Sequence, residues 1–89
     1  MKKRIIKEIE KHLYNYEKED LEWKNVIDKN IKELYEIDQK IINLRYFKKK
    51  KINYITYELY VSRCKYFKTI ENFISNVAIE AAYRKLIKP

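Results

Sequence analysis

The chain has no glycine, and its one proline is the last of 89 residues. Glycine enters left-handed and primed-turn backbone at no steric cost, so tight two-residue β-hairpins are disfavoured throughout. Proline is the strongest helix breaker. A chain lacking both in its interior is expected to be helical. The same absence removes every glycine-rich phosphate loop, and with it P-loop and dinucleotide-binding folds. The length sets one domain with one modest core, and excludes barrels and doubly wound sheets.

Lys, Ile, Tyr and Asn make up 47 of the 89 residues. Their codons are AT-rich, so part of the lysine excess reflects codon usage. The distribution of charge does not. Residues 1–44 carry 10 basic and 10 acidic side chains, whereas residues 45–89 carry 11 basic and 3 acidic. The whole net charge of +8 lies in the second half. That asymmetry suits a polyanionic partner for the second half and a different role for the first. A single cysteine allows no internal disulfide and no Cys-rich zinc site, which fits a reducing cytoplasm. No apolar run approaches a membrane span, and Lys7 interrupts the short apolar stretch after the basic start, so neither a membrane partner nor a signal peptide is expected.

Apolar spacing divides the chain into about five helices. Ile5, Ile9, Leu13 and Tyr16 form one face of the first. Asp20 caps the second, whose apolar side is Leu21, Val26 or Ile27, Ile31, Leu34 and Tyr35. Asp38 reads as a third cap, with Ile37 and Ile42 placed for a hydrophobic staple, opening a short helix through Phe47. Lys48, Lys49, Lys50 and Lys51 form a solvated loop. Asn53 caps a short helix to about Tyr60, with Ile55 and Leu59 facing inward. Ser62 caps a long last helix, expected to run unbroken toward Ile87.

Two short helices joined by a tight turn, the second longer and basic, form the helix-turn-helix pattern. It spans Ile52 to Phe73. Ile55, Leu59, Val61, Tyr66 and Ile70 would lock its helices together. Arg63, Cys64, Phe67, Lys68 and Glu71 would then face outward. Arg63 and Lys65 fall in the first turn of the last helix, where positive charge opposes the helix dipole at a cost of about 0.3–1 kcal/mol each. A phosphate or base edge arriving there would explain them.

Other candidates have plainer readings. His12 is alone, with no metal-ligating companion. Cys64 lacks the neighbours of a catalytic thiol. Acid pairs such as Glu33–Glu36 and Glu17–Asp20 read as solvated helix faces, so no catalytic set, cofactor site or metal site emerges and an enzyme is not expected. The nine tyrosines and Trp23 read mostly as core and rim rather than as stacking platforms.

The stretch Ile41-Ile42-Asn43-Leu44-Arg45-Tyr46-Phe47, the lysine loop, Ile55 to Leu59, and Val61-Ser62-Arg63-Cys64-Lys65-Tyr66-Phe67-Lys68 resemble region 4 of sigma-70-type factors. The similarity to the RinA/ArpU group of phage transcriptional regulators is closer. That group carries an R-Y-containing helix before the motif, an I-S-x-x-x-Y-Y/F-R/K recognition helix, and an L-x-N-Y segment matched here by Leu13-Tyr14-Asn15-Tyr16. The chain departs from the pattern at Tyr60, where the turn usually has glycine, at Thr56 and at Lys65. The resemblance implies a phage or prophage late-gene regulator in the bacterial cytoplasm, acting on a promoter directly or beside RNA polymerase.

The expectation is therefore an all-α domain over residues 1–89. Residues 1–36 would serve oligomer or polymerase contact, and residues 37–89 would form a sigma region 4-like helix-turn-helix half. Its partner would be double-stranded DNA, met by Ser62, Arg63, Cys64, Lys65, Phe67, Lys68 and Glu71 on the last helix and by Lys48 to Lys51 beside it. RNA polymerase and a second copy of the chain are further candidate partners. A polymerase-binding adaptor and a helical protein-interaction module that does not touch DNA stay open as alternatives.

Overall fold

A computed structural model describes residues 3–87. They form an all-α fold with five helices and no strand among the described residues. Helix α1 spans Lys3–Tyr14, α2 Leu21–Lys32, α3 Glu36–Ile42, α4 Ile52–Leu59 and α5 Arg63–Tyr83. A single 3₁₀ turn, Tyr16–Lys18, follows α1, and a π-helical turn, Asn43–Phe47, extends α3.

All five helices contribute to one cluster of buried side chains. Ile9 and Leu13 enter from α1, Trp23, Val26 and Ile27 from α2, Ile41 and Ile42 from α3, and Ile55 from α4. Helix α5 forms the spine, burying Tyr66, Ile70, Phe73, Ile74, Val77 and Ala81 along its length. The two charge halves of the chain thus share a core, to which α1 and α2 contribute buried side chains. Polar ties reinforce this. Arg45 donates to the Tyr66 hydroxyl (2.6 Å) and to Glu10 (3.3 Å), and the buried Tyr46 hydroxyl donates to the same Glu10 oxygen (2.8 Å). Burial, with the Glu10 carboxylate, holds Tyr46 above the ordinary tyrosine range although the Arg45 guanidinium pulls the other way.

Two of the four expected caps form. The Asp20 carboxylate accepts from the Trp23 amide (3.1 Å), and the Ser62 hydroxyl from the Lys65 amide (3.0 Å). The other two do not. Helix α3 starts at Glu36, so Asp38 sits inside it, 9% exposed and bonded across to α5. Ile37 and Ile42 consequently fall inside that helix, out of register for the expected staple. Helix α4 starts at Ile52 with no side-chain cap, and Asn53 lies within its first turn. On α2, Leu21 is exposed rather than inward, as is Tyr35, the residue before α3. Helix α5 ends at Tyr83, four residues short of Ile87.

Among the described residues three take left-handed backbone: Lys49 (φ 55°), Tyr60 (φ 54°) and Lys85 (φ 61°). At Lys85 the Leu86 amide reaches back to the Ala81 carbonyl (2.8 Å) and the Lys85 amide to Ala82 (3.0 Å). At Tyr60 the Val61 amide bonds Thr56 (3.1 Å) and the Tyr60 amide bonds Tyr57 (3.4 Å). Both are Schellman closures, which satisfy otherwise unpaired carbonyls and usually hold glycine at that position. The chain reverses direction here by the route glycine makes easy, using residues for which it is costly.

Candidate nucleic-acid interface

Helix α4 is joined to helix α5 by the three-residue connection Tyr60–Ser62, and the two helices pack together, as the helix-turn-helix expectation requires. Ile55 on α4 and Tyr66, Thr69 and Ile70 on α5 are buried, with Leu59 and Val61 packed against the same cluster. These are the residues the spacing assigns to the lock between the helices. Steps of 100° around α5 then put Cys64, Lys68 and Glu71 on its crest, Arg63 and Phe67 on one flank and Lys65 on the other. All six are exposed, as are Ser62 and the whole of Lys48 to Lys51.

The positive first turn of α5 is answered partly within the chain. The Lys65 ammonium lies 2.9 Å from the Asp38 carboxylate. An acid from α3 therefore supplies the negative charge that helix-dipole logic asks of α5 itself. Arg63 differs. Its guanidinium donates to the amide oxygen of Asn53 (3.0 Å), a neutral acceptor, so its charge stays uncompensated and its side chain is steered toward α4. Arg63 and Lys68 are thus the cations of this face without a carboxylate partner among the described residues.

The lysine loop precedes α4 directly, and Lys50 lies over the Tyr54 ring, 5.1 Å from its centroid. Tyr54, Tyr57 and Tyr60 follow at intervals of three, all exposed. Of the nine tyrosines, Tyr46 and Tyr66 are buried, Tyr16 packs partly buried against the core, Tyr14 and Tyr54 lie at its rim, and Tyr35, Tyr57, Tyr60 and Tyr83 stand out into solvent. Spacing could have flagged the α4 row, since it falls opposite Ile55 and Leu59. The Asn53–Arg63 contact leaves no local signal.

Phe67 and Glu71 also border an open groove of about 360 Å³ that runs against Ile6 and Glu10 of α1 and has Arg45 and Ile70 in its wall. His12 stacks on Trp23 (centroids 3.8 Å apart) and its Nδ1–H donates to Glu19 (2.7 Å), an ordinary helix-packing role. Cys64 is exposed and free. Among the described residues no group of His, Cys, Asp or Glu has the geometry to hold a metal ion, and no helix is long and apolar enough to cross a membrane. Comparison of the chain with protein-family models, with curated proteins and with solved structures finds no match.

Proposed function

We propose that the chain is a duplex-DNA-binding transcriptional regulator that reads its site with the opening turns of α5. The observation that carries this is the exposed basic start of α5, packed on α4, with Arg63 and Lys68 free of carboxylate partners among the described residues. In helix-turn-helix proteins the N-terminal part of the second helix enters the major groove while the first crosses the backbone. Arg63, which can bond guanine bidentately, and Lys68 are the base-reading candidates. Ser62, Cys64, Phe67 and Glu71 would border them. Lys48 to Lys51 and the outward part of Lys65 would lie toward phosphate. The resemblance of residues 41–68 to sigma region 4 and to the RinA/ArpU regulators points the same way, and the late-gene setting rests on that resemblance alone.

The test is fluorescence anisotropy with random AT-rich duplexes and with duplexes from the genomic neighbourhood of the chain, at low and moderate salt. With 6–10 phosphate contacts, affinity should fall ~10³–10⁵ between 50 and 200 mM salt. Arg63→Ala with Lys68→Ala should remove most of the binding while circular dichroism stays unchanged. Lys65 is left in place because it holds Asp38. A flat salt response refutes the proposal.

A second reading has one observation in its favour. Leu21 (72% exposed) and Tyr35 (81% exposed) present large apolar side chains on the charge-neutral half, as a protein-contact surface would. RNA polymerase is the partner this reading names. Deleting residues 1–36 cannot test it, because α1 and α2 build the core. Leu21→Ser with Tyr35→Ser can: the pair should abolish polymerase capture and leave duplex affinity unchanged.

A further inference from the structure

The turn of the motif holds its most costly residue. Tyr60 has φ 54° and ψ 41°, left-handed backbone that costs a non-glycine residue about 1–2 kcal/mol. Its side chain is 93% exposed, so packing returns little of that cost. AT-rich codon usage explains why glycine is missing. It does not explain tyrosine, because asparagine tolerates this conformation better, and the chain holds seven asparagines, none of them here. Lys49 and Lys85 take the same backbone without glycine or asparagine; Tyr60 differs from them in holding a large aromatic ring out at the surface of the motif.

Tyr60 does not stand alone. Tyr57, one turn earlier, is 79% exposed and lies on the side of α4 opposite Ile55 and Leu59. Asn53, one turn before Tyr57, holds the Arg63 guanidinium. Tyr54 carries the Lys50 ammonium over its ring. The phenol row is therefore bracketed by cations, from the lysine loop at one end to Arg63 at the other. The one acid of α4, Glu58, lies about 100° around the helix from Tyr57, on the side of Tyr54 and away from Asn53.

We infer that Tyr57 and Tyr60 form a second contact surface of the motif, their hydroxyls donating to phosphate oxygens along one strand of the duplex that α5 reads. This rests on the DNA-binding reading above. The first helix of such a motif crosses the backbone, and tyrosine hydroxyls are ordinary phosphate donors. The bases of a duplex are stacked on one another and offer these rings no face. The two contacts would fix the register of α5 in the groove without carrying sequence information.

The experiment compares four full-length proteins on the same duplex across a salt series: wild type, Tyr57→Phe/Tyr60→Phe, Tyr60→Gly, and Arg63→Ala/Lys68→Ala. The double phenylalanine variant keeps the rings and loses the hydroxyls. Its affinity should drop about five- to tenfold, with the salt slope unchanged, because a neutral donor displaces no counterion. Tyr60→Gly should melt at higher temperature yet bind more weakly, opposite movements that a purely structural role cannot produce. If both tyrosine variants bind like wild type while the Arg63/Lys68 variant is weakened, the inference falls and the DNA reading stands. If wild type binds no duplex, both fall. If wild type prefers single strands and the phenylalanine pair retains that binding, the rings stack on bases and the phosphate contact is wrong.

Discussion

The Lys65 ammonium, in the first turn of α5, lies 2.9 Å from the Asp38 carboxylate of α3, and the Thr69 hydroxyl donates to the same oxygen from 3.0 Å. This contact sets the start of the proposed reading helix against the helix before the motif. Its members differ in what their loss should cost. Asp38 is 9% exposed and Thr69 5%, so Asp38→Ala strands a buried hydroxyl and should cost about 1.5–3 kcal/mol. Lys65 is 45% exposed at its side chain, and Lys65→Ala should cost less than about 1 kcal/mol. Asp38→Ala with Thr69→Val should cost little more than Asp38→Ala alone, because no polar group is left unpaired. Urea denaturation of the four proteins checks all three.

What the sequence could and could not reveal follows the range of each interaction. Asp20 and Ser62 are read correctly as caps because a cap bond closes within three residues. Asp38 carries the same local signal, yet its carboxylate is taken by Thr69 and Lys65, about thirty positions away, and no pattern of neighbours encodes that choice. Asn53 is diverted in the same way by Arg63. The lock between α4 and α5 is legible because Ile55, Tyr66 and Ile70 obey helical spacing. The exposed row of α4 tyrosines yields to the same spacing, since it falls opposite Ile55 and Leu59, although tyrosine as a residue type fits core and surface equally. The end of α5 is hidden for another reason. Helix ends are read from glycine, and Lys85 does that work here without it.

Lys85 gives the second prediction. Lys85→Gly relieves the left-handed strain, about 1–2 kcal/mol, and returns part of it as extra freedom of the unfolded chain. The net gain should be about 0.5–1 kcal/mol, or roughly 2–8 °C in a chain of this size. Lys85→Val should move the opposite way, since a β-branched residue tolerates positive φ least. Calorimetry of the two variants beside wild type decides it. A Gly variant no more stable than wild type would mean that the lysine side chain offsets its own strain.

Tyr16 supplies a pH dependence. Its hydroxyl donates to Asp28 (2.5 Å), and that bond, then burial, then the Asp28 charge, push its ionisation from the ordinary 10.0 up to about 12. The folded protein holds this proton more tightly than the unfolded chain. The linked stability is therefore complete below pH 10 and is lost as pH climbs through about 12. The urea midpoint should be level approaching pH 10 and fall beyond it. Tyr16→Phe should start lower at neutral pH and fall less over the same interval, with Tyr46 carrying what decline remains.

The last prediction concerns Lys48 to Lys51, four consecutive cations in one short, exposed loop. In the free protein they repel one another and add to a net charge of +8, so they oppose folding. Against a duplex each ammonium that reaches a phosphate releases a counterion, and the slope of log affinity on log salt steepens by about 0.9 per contact. Lys49 holds the left-handed turn, and Lys50 lies over Tyr54, so Lys48 and Lys51 are the cleaner pair to remove. Lys48→Ala/Lys51→Ala should leave stability equal or slightly raised and duplex affinity reduced at low salt. Its salt slope should be shallower by about 1–2. Binding that weakens with the slope intact would place both lysines off the phosphates. The loop would then be a solvated tip, and the counterion release would belong to α5.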